Sequence, residues 1–181
     1  NGKYRIFNDN DKPVAVDIDT VQRVRDSFIK VKKGGKVGLF LLNGTPCIPL
    51  NYDDIDAYTG TFWIVTKGRY KGIFTYEGKQ VLPPVYDEIT VEWQNNYDNP
   101  PHFIVKKEKY GLCDSKGNMV VPTEYTKIEA KDDHWKLTKG YPFEYIFNNG
   151  STVKDATLAD EINGISYRKD DDLIVYYPYE K

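Results

Sequence analysis

Short runs of alternating hydrophobic and polar residues follow one another along most of the chain, with glycine-containing bends between them. The run FIKVKK at residues 28–33 leads into Gly34-Gly35, and KVGLFLL follows at residues 36–42. Similar pairs of runs occupy residues 62–76 and 103–114. These runs are rich in β-branched and aromatic residues, which suit the pleated, half-buried surface of a strand. The pattern therefore predicts a succession of β-hairpins.

One order of residues recurs along the chain. Each copy has a glycine, a second glycine six positions on, and then a proline, a tyrosine and an isoleucine. The aligned members are Gly38, Gly72 and Gly111; Gly44, Gly78 and Gly117; Pro49, Pro83 and Pro122; Tyr52, Tyr86 and Tyr125; and Ile55, Ile89 and Ile128. The isoleucines are 34 and then 39 positions apart. A fixed period in this range indicates a repeat architecture.

The period extends in weaker form to both ends, through Val21 and Ile162. We predict a single all-β repeat domain, residues 1–181, made of tandem units of about 34 residues. The predicted units are residues 1–21, 22–55, 56–89, 90–128 and 129–162, with a terminal hairpin at 163–181. We expect each unit to be a β-hairpin plus a short third strand, and the units to form an open array or a small propeller-like ring. Segment 21–28, between two units, is expected to be a turn or one helical loop.

A single unit is too small to bury a core of its own. Burying one aliphatic side chain contributes about 1.5–3 kcal/mol, whereas ordering the backbone costs about 1–2 kcal/mol per residue. The units must therefore share apolar contacts with their neighbours. The expected contacts are the recurring isoleucines, Ile55, Ile89, Ile128 and Ile162.

The recurring motif, Gly-(Leu/Ile)-x, a second Gly, (Ile/Leu/Val)-Pro and Tyr-Asp-x-Ile, resembles the bacterial WG repeat, also called the KWG repeat. The resemblance covers about residues 28–162 well. The tryptophan that gives the family its name is replaced by Val37, Lys71 and Tyr110, so the chain resembles a divergent member. The resemblance implies all-β repeat modules for binding or scaffolding, and it implies no catalytic residues.

Composition narrows the function classes. The chain has 25 basic and 27 acidic residues, a net charge of -2, which disfavours nucleic-acid binding. No apolar run is long enough to span a membrane. The chain begins at Asn1 rather than Met, which is compatible with a trimmed product such as an extracytoplasmic bacterial protein whose signal was removed, and the compartment stays unknown. Cys47 and Cys113 are expected to be small buried side chains, with a single disulfide as the alternative.

No residue pattern typical of catalysis, metal binding or cofactor binding stands out, so we predict a non-enzymatic protein without cofactor or metal. Acidic pairs recur at one phase of the unit, at Asp53-Asp54, Asp87-Glu88 and Asp160-Glu161. Their recurrence favours a structural role, in which each aspartate accepts the backbone N–H two residues on. A hydrolase, such as a carbohydrate-active enzyme with a carboxylate pair, is the alternative.

The extra residues of the longest unit lie in segment 92–102, which is polar and contains prolines. Its aromatic and amide side chains suit sugar stacking or anchoring at a protein interface. The candidate binding residues are Trp93, Asn95, Asn96, Tyr97 and His102. We predict a monomeric binding module for a protein or glycan partner, and a spacer within a larger surface protein is a further alternative.

Overall fold

The computed structural model describes residues 2–58, 61–93, 100–131 and 134–138, together with four short strand backbones at 144–147, 152–154, 161–162 and 165–166. Within this part of the chain the regular structure is all β, and no helix occurs. The strands form small antiparallel sheets, and none of these closes on itself. The predicted all-β repeat fold is therefore confirmed.

Four sheets are four-stranded meanders, in which each strand pairs with its neighbour in the chain. The first contains β3 (Thr20–Val24), β4 (Phe28–Lys33), β5 (Lys36–Leu41) and β6 (Pro46–Tyr52). The second contains β7 (Asp54–Tyr58), β8 (Phe62–Lys67), β9 (Tyr70–Thr75) and β10 (Gln80–Tyr86). The third contains β11 (Glu88–Glu92), β12 (His102–Lys107), β13 (Lys109–Cys113) and β14 (Met119–Tyr125). The fourth contains β15 (Lys127–Ala130), β16 (His134–Thr138), β17 (Glu144–Phe147) and β18 (Thr152–Lys154).

Two further sheets have only two strands each. The N-terminal hairpin pairs β1 (Tyr4–Phe7) with β2 (Pro13–Ile18), and β19 (Glu161–Ile162) pairs with β20 (Ile165–Ser166). The rest of the predicted terminal hairpin at 163–181 lies outside the described residues.

Each four-stranded sheet has one strand more than the predicted hairpin and third strand. The additional strand comes first in the sheet, and it carries the isoleucine that was predicted to end the preceding unit. Ile55 lies on β7, Ile89 on β11 and Ile128 on β15. The prediction of a turn or helical loop at 21–28 holds only for the turn at residues 25–27, because residues 21–24 belong to strand β3. Val21 occupies the same position on β3, which pairs with β4 along its whole length.

The chain divides into two compact units, Asn1–Ile89 and Thr90–Lys181. In the first unit, one core cluster lies between the sheets β3–β6 and β7–β10, where Ile55 packs with Phe28 and Trp63. A second cluster lies between the N-terminal hairpin and the sheet β3–β6 and contains Ile18 and Phe40. Neighbouring sheets in this unit therefore share their interior.

The second unit repeats this packing. Ile128 packs with Leu112 of the preceding sheet and with Trp135 of its own sheet. The predicted role of the isoleucines as contacts between repeats is thus confirmed for Ile55 and Ile128. Ile89 is buried, and the side chain of Ile162 lies outside the described part.

The bend before the last strand of a sheet has the same backbone hydrogen bonds in the four copies in which it is described. In the sheet β3–β6, the Leu41 N–H donates to the carbonyl oxygen of Thr45 at 2.9 Å, and the Gly44 N–H donates to the carbonyl oxygen of Leu41 at 2.9 Å. The corresponding pairs are Asn8–Lys12 and Asp11–Asn8, Thr75–Lys79 and Gly78–Thr75, and Asp114–Asn118 and Gly117–Asp114. The N-terminal hairpin therefore contains the last two strands of the repeat.

Glycine is required at two of these bends for two separate reasons. Gly44 and Gly78 have φ of 80° and 88°, in the left-handed region that disfavours other residues. A Cβ on Gly44 would lie 2.0 Å from the carbonyl oxygen of Phe7, and one on Gly78 would lie 2.3 Å from that of Cys47. Each bend therefore rests directly on the backbone of the preceding sheet.

Cys47 is half-buried and Cys113 is buried, and both are free thiols, so the disulfide alternative does not hold.

In the part of the chain that is described, no helix has the length and apolar character needed to cross a bilayer.

Candidate functional site

The structure describes only part of the predicted loop site. Trp93 is half-buried and follows β11 directly, and His102 begins β12. Tyr97, Asn95 and Asn96 lie outside the described residues. The loop site therefore stays a prediction.

His102 has a packing role. Its ring centroid lies 5.4 Å from that of Trp135. In the first unit, Phe28 takes the equivalent strand position and lies 5.1 Å from Trp63 in the same way. Burial lowers the pKa of His102, and the nearby charge of Asp114 opposes this shift. The neutral imidazole thus replaces a phenylalanine, and aligning residue 102 with residue 28 in the repeat could have indicated this.

The recurring aspartates hold hairpin bends in place. Asp53 accepts hydrogen bonds from Lys36 Nζ and from the Gly68 N–H, both at 2.6 Å, and these bonds lower its pKa. Asp19 similarly accepts hydrogen bonds from Lys3 and from the Gly34 N–H, with the same effect on its pKa.

The expected structural role is therefore confirmed at Asp53, but the predicted backbone donor was wrong. The N–H belongs to a bend 15 residues further on, not two. At the next copy, Asp87 lies 3.3 Å from the guanidinium of Arg69. The side chains of the pair at 160–161 lie outside the described part.

A polar cavity of about 280 Å³ lies beside Lys30 in the first unit. Lys30 Nζ donates to Asp54 Oδ1 at 2.6 Å and to the Ile55 carbonyl oxygen at 2.7 Å. The hydrogen bond from Lys30 lowers the pKa of Asp54. Other residues lining the cavity include Thr20, Gln22, Lys32 and Asp53. The ammonium group is thus already bound by the protein itself.

Among the described residues, the structure gives no support for a metal site. No group of three or more His, Cys, Asp or Glu side chains there is arranged to hold a metal ion.

The N-terminal hairpin exposes apolar side chains that sequence reasoning did not select. Phe7 is 47% exposed, whereas the equivalent Phe40 and Phe74 are 5% and 4% exposed. Val14 and Val16 on β2 are exposed as well. Aligning the bends of the repeats places Phe7 with Phe40 and Phe74, so this signal was present in the sequence.

Comparison with known proteins agrees with the repeat. A family model described as "WG containing repeat" matches residues 110–130. The resemblance to WG repeats is therefore confirmed, and the matched segment runs from β13 through β14 to the end of β15. The sequence repeat thus includes the first strand of the following sheet. No curated protein matches the chain.

Proposed function

We propose that this chain is a non-enzymatic interaction module that binds a polypeptide partner through its N-terminal hairpin. The observation that carries the proposal is the exposure of four apolar side chains on this hairpin of two short strands, Tyr4, Phe7, Val14 and Val16. Scattered apolar residues are normal on a protein surface, but a high concentration of them marks an interaction site. Aromatic side chains that become buried on binding commonly supply much of the binding energy.

The ionisation of the carboxylates disfavours the alternative of a hydrolase. A glycosidase acid needs a pKa raised enough to hold a proton near neutral pH. Among the described residues, each carboxyl group whose pKa departs clearly from its usual value is shifted downward. These groups are Asp19, Asp53, Asp54, Glu77, Asp114 and Glu129. Their hydrogen bonds to lysines and backbone N–H groups favour the ionised form.

A polypeptide suits this surface better than a glycan. Sugar sites combine an aromatic face with convergent polar groups, whereas the exposed apolar side chains of this hairpin include two valines besides Tyr4 and Phe7. The predicted loop around Trp93 is a second candidate surface, which belongs to the other compact unit.

Peptide selection tests the proposal. Random short peptides displayed on phage are selected on the immobilised chain, and their dissociation constants are then measured in solution. We expect selected peptides to bind at least about tenfold more weakly to Phe7→Asp than to the unchanged chain. Leu42→Asp is the matched control, because Leu42 is 51% exposed in a bend of the next sheet.

Two results would contradict the proposal. One is that glycan screening yields ligands for the chain while the peptide selection yields none. The other is a set of peptides that bind the Phe7→Asp variant as tightly as the unchanged chain.

A further inference from the structure

We propose that the polar cavity beside Lys30 binds a free α-amino acid as a zwitterion, with the carboxylate of the ligand at Lys32 and its ammonium group at Asp54. The cavity has a volume of about 280 Å³ and lies in the first compact unit. This volume is close to the lower limit for small-molecule sites, so it suits a ligand of the size of one amino acid. The cavity shares no residue with the exposed hairpin surface, and neither proposal depends on the other.

The register of the first four-stranded sheet places four polar side chains of the cavity on one face. Thr20 pairs with Lys32, and Gln22 pairs with Lys30, on the neighbouring strands β3 and β4. Directly paired residues of antiparallel strands point to the same side of a sheet, as do residues two positions apart on one strand. The four side chains therefore form a compact polar patch. Val37, which pairs with Lys32 from β5, adds a buried apolar side chain beside it.

The lysines of this patch depart from the repeat. In the described part of the chain, no other four-stranded sheet has lysine at both positions equivalent to Lys30 and Lys32. The residues there are Ile64 and Thr66 in β8, Ile104 and Lys106 in β12, and Lys136 and Thr138 in β16. Hydrogen bonds to the second sheet explain Lys30, but no packing role explains Lys32. Departures from a structural pattern that lack a packing role are expected at functional sites.

Two groups that line the cavity are free to bind a ligand. Lys30 Nζ donates to Asp54 Oδ1 at 2.6 Å, and the Ile55 N–H donates to the same oxygen at 2.9 Å. The other oxygen, Asp54 Oδ2, accepts no hydrogen bond from a described residue. Lys32 Nζ forms no hydrogen bond or ion pair with a described residue, and its charge adds to the effect of Lys30, which lowers the pKa of Asp54. The site therefore offers one cation and one carboxylate oxygen.

The charges of the lining favour a zwitterion over other small ligands. The lining contains two lysines and two aspartates, so a ligand with a net charge would meet as many like charges as opposite ones. A zwitterion instead uses both free groups, and Thr20 and Gln22 can donate and accept further hydrogen bonds. Val37 favours a small apolar side chain on the ligand. A neutral sugar fits less well, because none of the lining residues is aromatic.

Amide chemical shifts of the isotope-labelled chain measure binding. Valine is compared with valinamide, which has no carboxylate, and with N-acetylvaline, which has no ammonium group. We expect valine to shift the amide signals of residues 20–22, 30–32 and 53–54. We expect its dissociation constant to be on the order of 1 mM, and each analogue to bind about fivefold more weakly, since exposed ion pairs contribute little.

Two variants assign the charged groups of the ligand. Lys32→Gln should weaken valine binding about fivefold and leave valinamide binding unchanged, because valinamide has no carboxylate for Lys32 to bind. Asp54→Asn should weaken valine binding and leave N-acetylvaline binding unchanged. The same spectra show whether each variant is folded, and the exposed Lys32 keeps the test valid if Asp54→Asn unfolds. Lys33→Gln is the matched control, because Lys33 is the next residue of β4 and donates to the carbonyl oxygen of Val16.

Three results would overturn the proposal. The first is the absence of shifts at these amides up to about 50 mM valine. The second is that both analogues bind as tightly as valine, and the third is that Lys32→Gln binds valine as tightly as the unchanged chain does. Tighter binding of valyl-valine would overturn a single amino acid as the ligand, and tighter binding of glucose would overturn the zwitterion. Binding of library peptides at Phe7 is tested separately and is unaffected by these outcomes.

Discussion

Equivalent positions of the repeat hold side chains of different polarity that pack in the same way. Phe28 and His102 both begin the second strand of a sheet and both pack against a tryptophan. The phenylalanine contributes only apolar surface, whereas the histidine carries a titratable group into a half-buried position. This difference should make the stability of the second unit depend on pH.

We predict that His102→Phe reduces the loss of stability on mild acidification. Burial lowers the folded-state pKa of His102 below the unfolded value of about 6.5. The unfolded state therefore binds more protons as pH falls below that value, and stability decreases. Urea unfolding midpoints at pH 5 and pH 8 measure the effect.

The reciprocal variant is the control for this prediction. Phe28→His should introduce a comparable decrease into the first unit, beyond the general cost of the substitution. If the unfolding midpoints at pH 5 and pH 8 differ as much in His102→Phe as in the unchanged chain, His102 is not the titrating group.

At the scale of single residues, the sequence predicted a feature correctly where neighbouring residues alone determine it. Asn43 and Gly44 predicted a bend, and the bend forms because Asn43 Oδ1 accepts the Thr45 N–H while Gly44 takes a positive φ. The link from Asp53 to Gly68 was not predictable in the same way. It depends on the pairing of β7 with β8, which brings together residues 15 positions apart.

At the scale of the elements, the first strands β7 and β15 carry isoleucines that pack against the preceding sheet within the same compact unit. Ile55 is 2% exposed between two sheets, whereas Val21 at the equivalent position of β3 is 36% exposed. The periodicity predicted the buried isoleucines because apolar residues recur at one phase. It missed β3 as a strand, because Val21 and Val24 lie among polar residues and have little apolar surface to bury.

We predict that Ile55→Ala lowers the free energy of unfolding by about 2–5 kcal/mol, since it leaves a cavity between two sheets. Chemical denaturation at neutral pH measures this loss. Val21→Ala is the positional control and should cost clearly less, because that side chain is already partly exposed. Equal losses for the two variants would contradict the assignment of Ile55 to the shared core.

Across the whole molecule, the protection of backbone amides from hydrogen exchange should be uneven. The N-terminal hairpin has two strands, whereas the meanders beside it have four. Repeat proteins derive their stability from contacts between neighbours, so elements with fewer neighbours open more readily. The sequence predicted tandem β repeats, but it did not predict this difference in the number of strands, because strand pairing and not periodicity decides how many strands a sheet has.

We predict that the amides of Ile6 and Ile18 exchange with solvent at least about tenfold faster than those of Leu39 and Ile73. All four side chains are buried, so burial alone would predict similar protection. Hydrogen exchange followed by NMR measures the rates. Equal protection at the four sites would show that the two-stranded hairpin opens only together with the rest of its unit.

The hydrogen bond from the Gly68 N–H to Asp53 also has a consequence for how the protein is made. Asp53 and Gly68 belong to the same sheet and are separated by one short hairpin. Contacts of such short sequence separation allow rapid folding. During synthesis this hairpin therefore forms early, and its core is completed when it packs on the sheet made before it. Synthesis in the natural direction would then add sheets one at a time onto those already made and keep the exposed length of unfolded chain short.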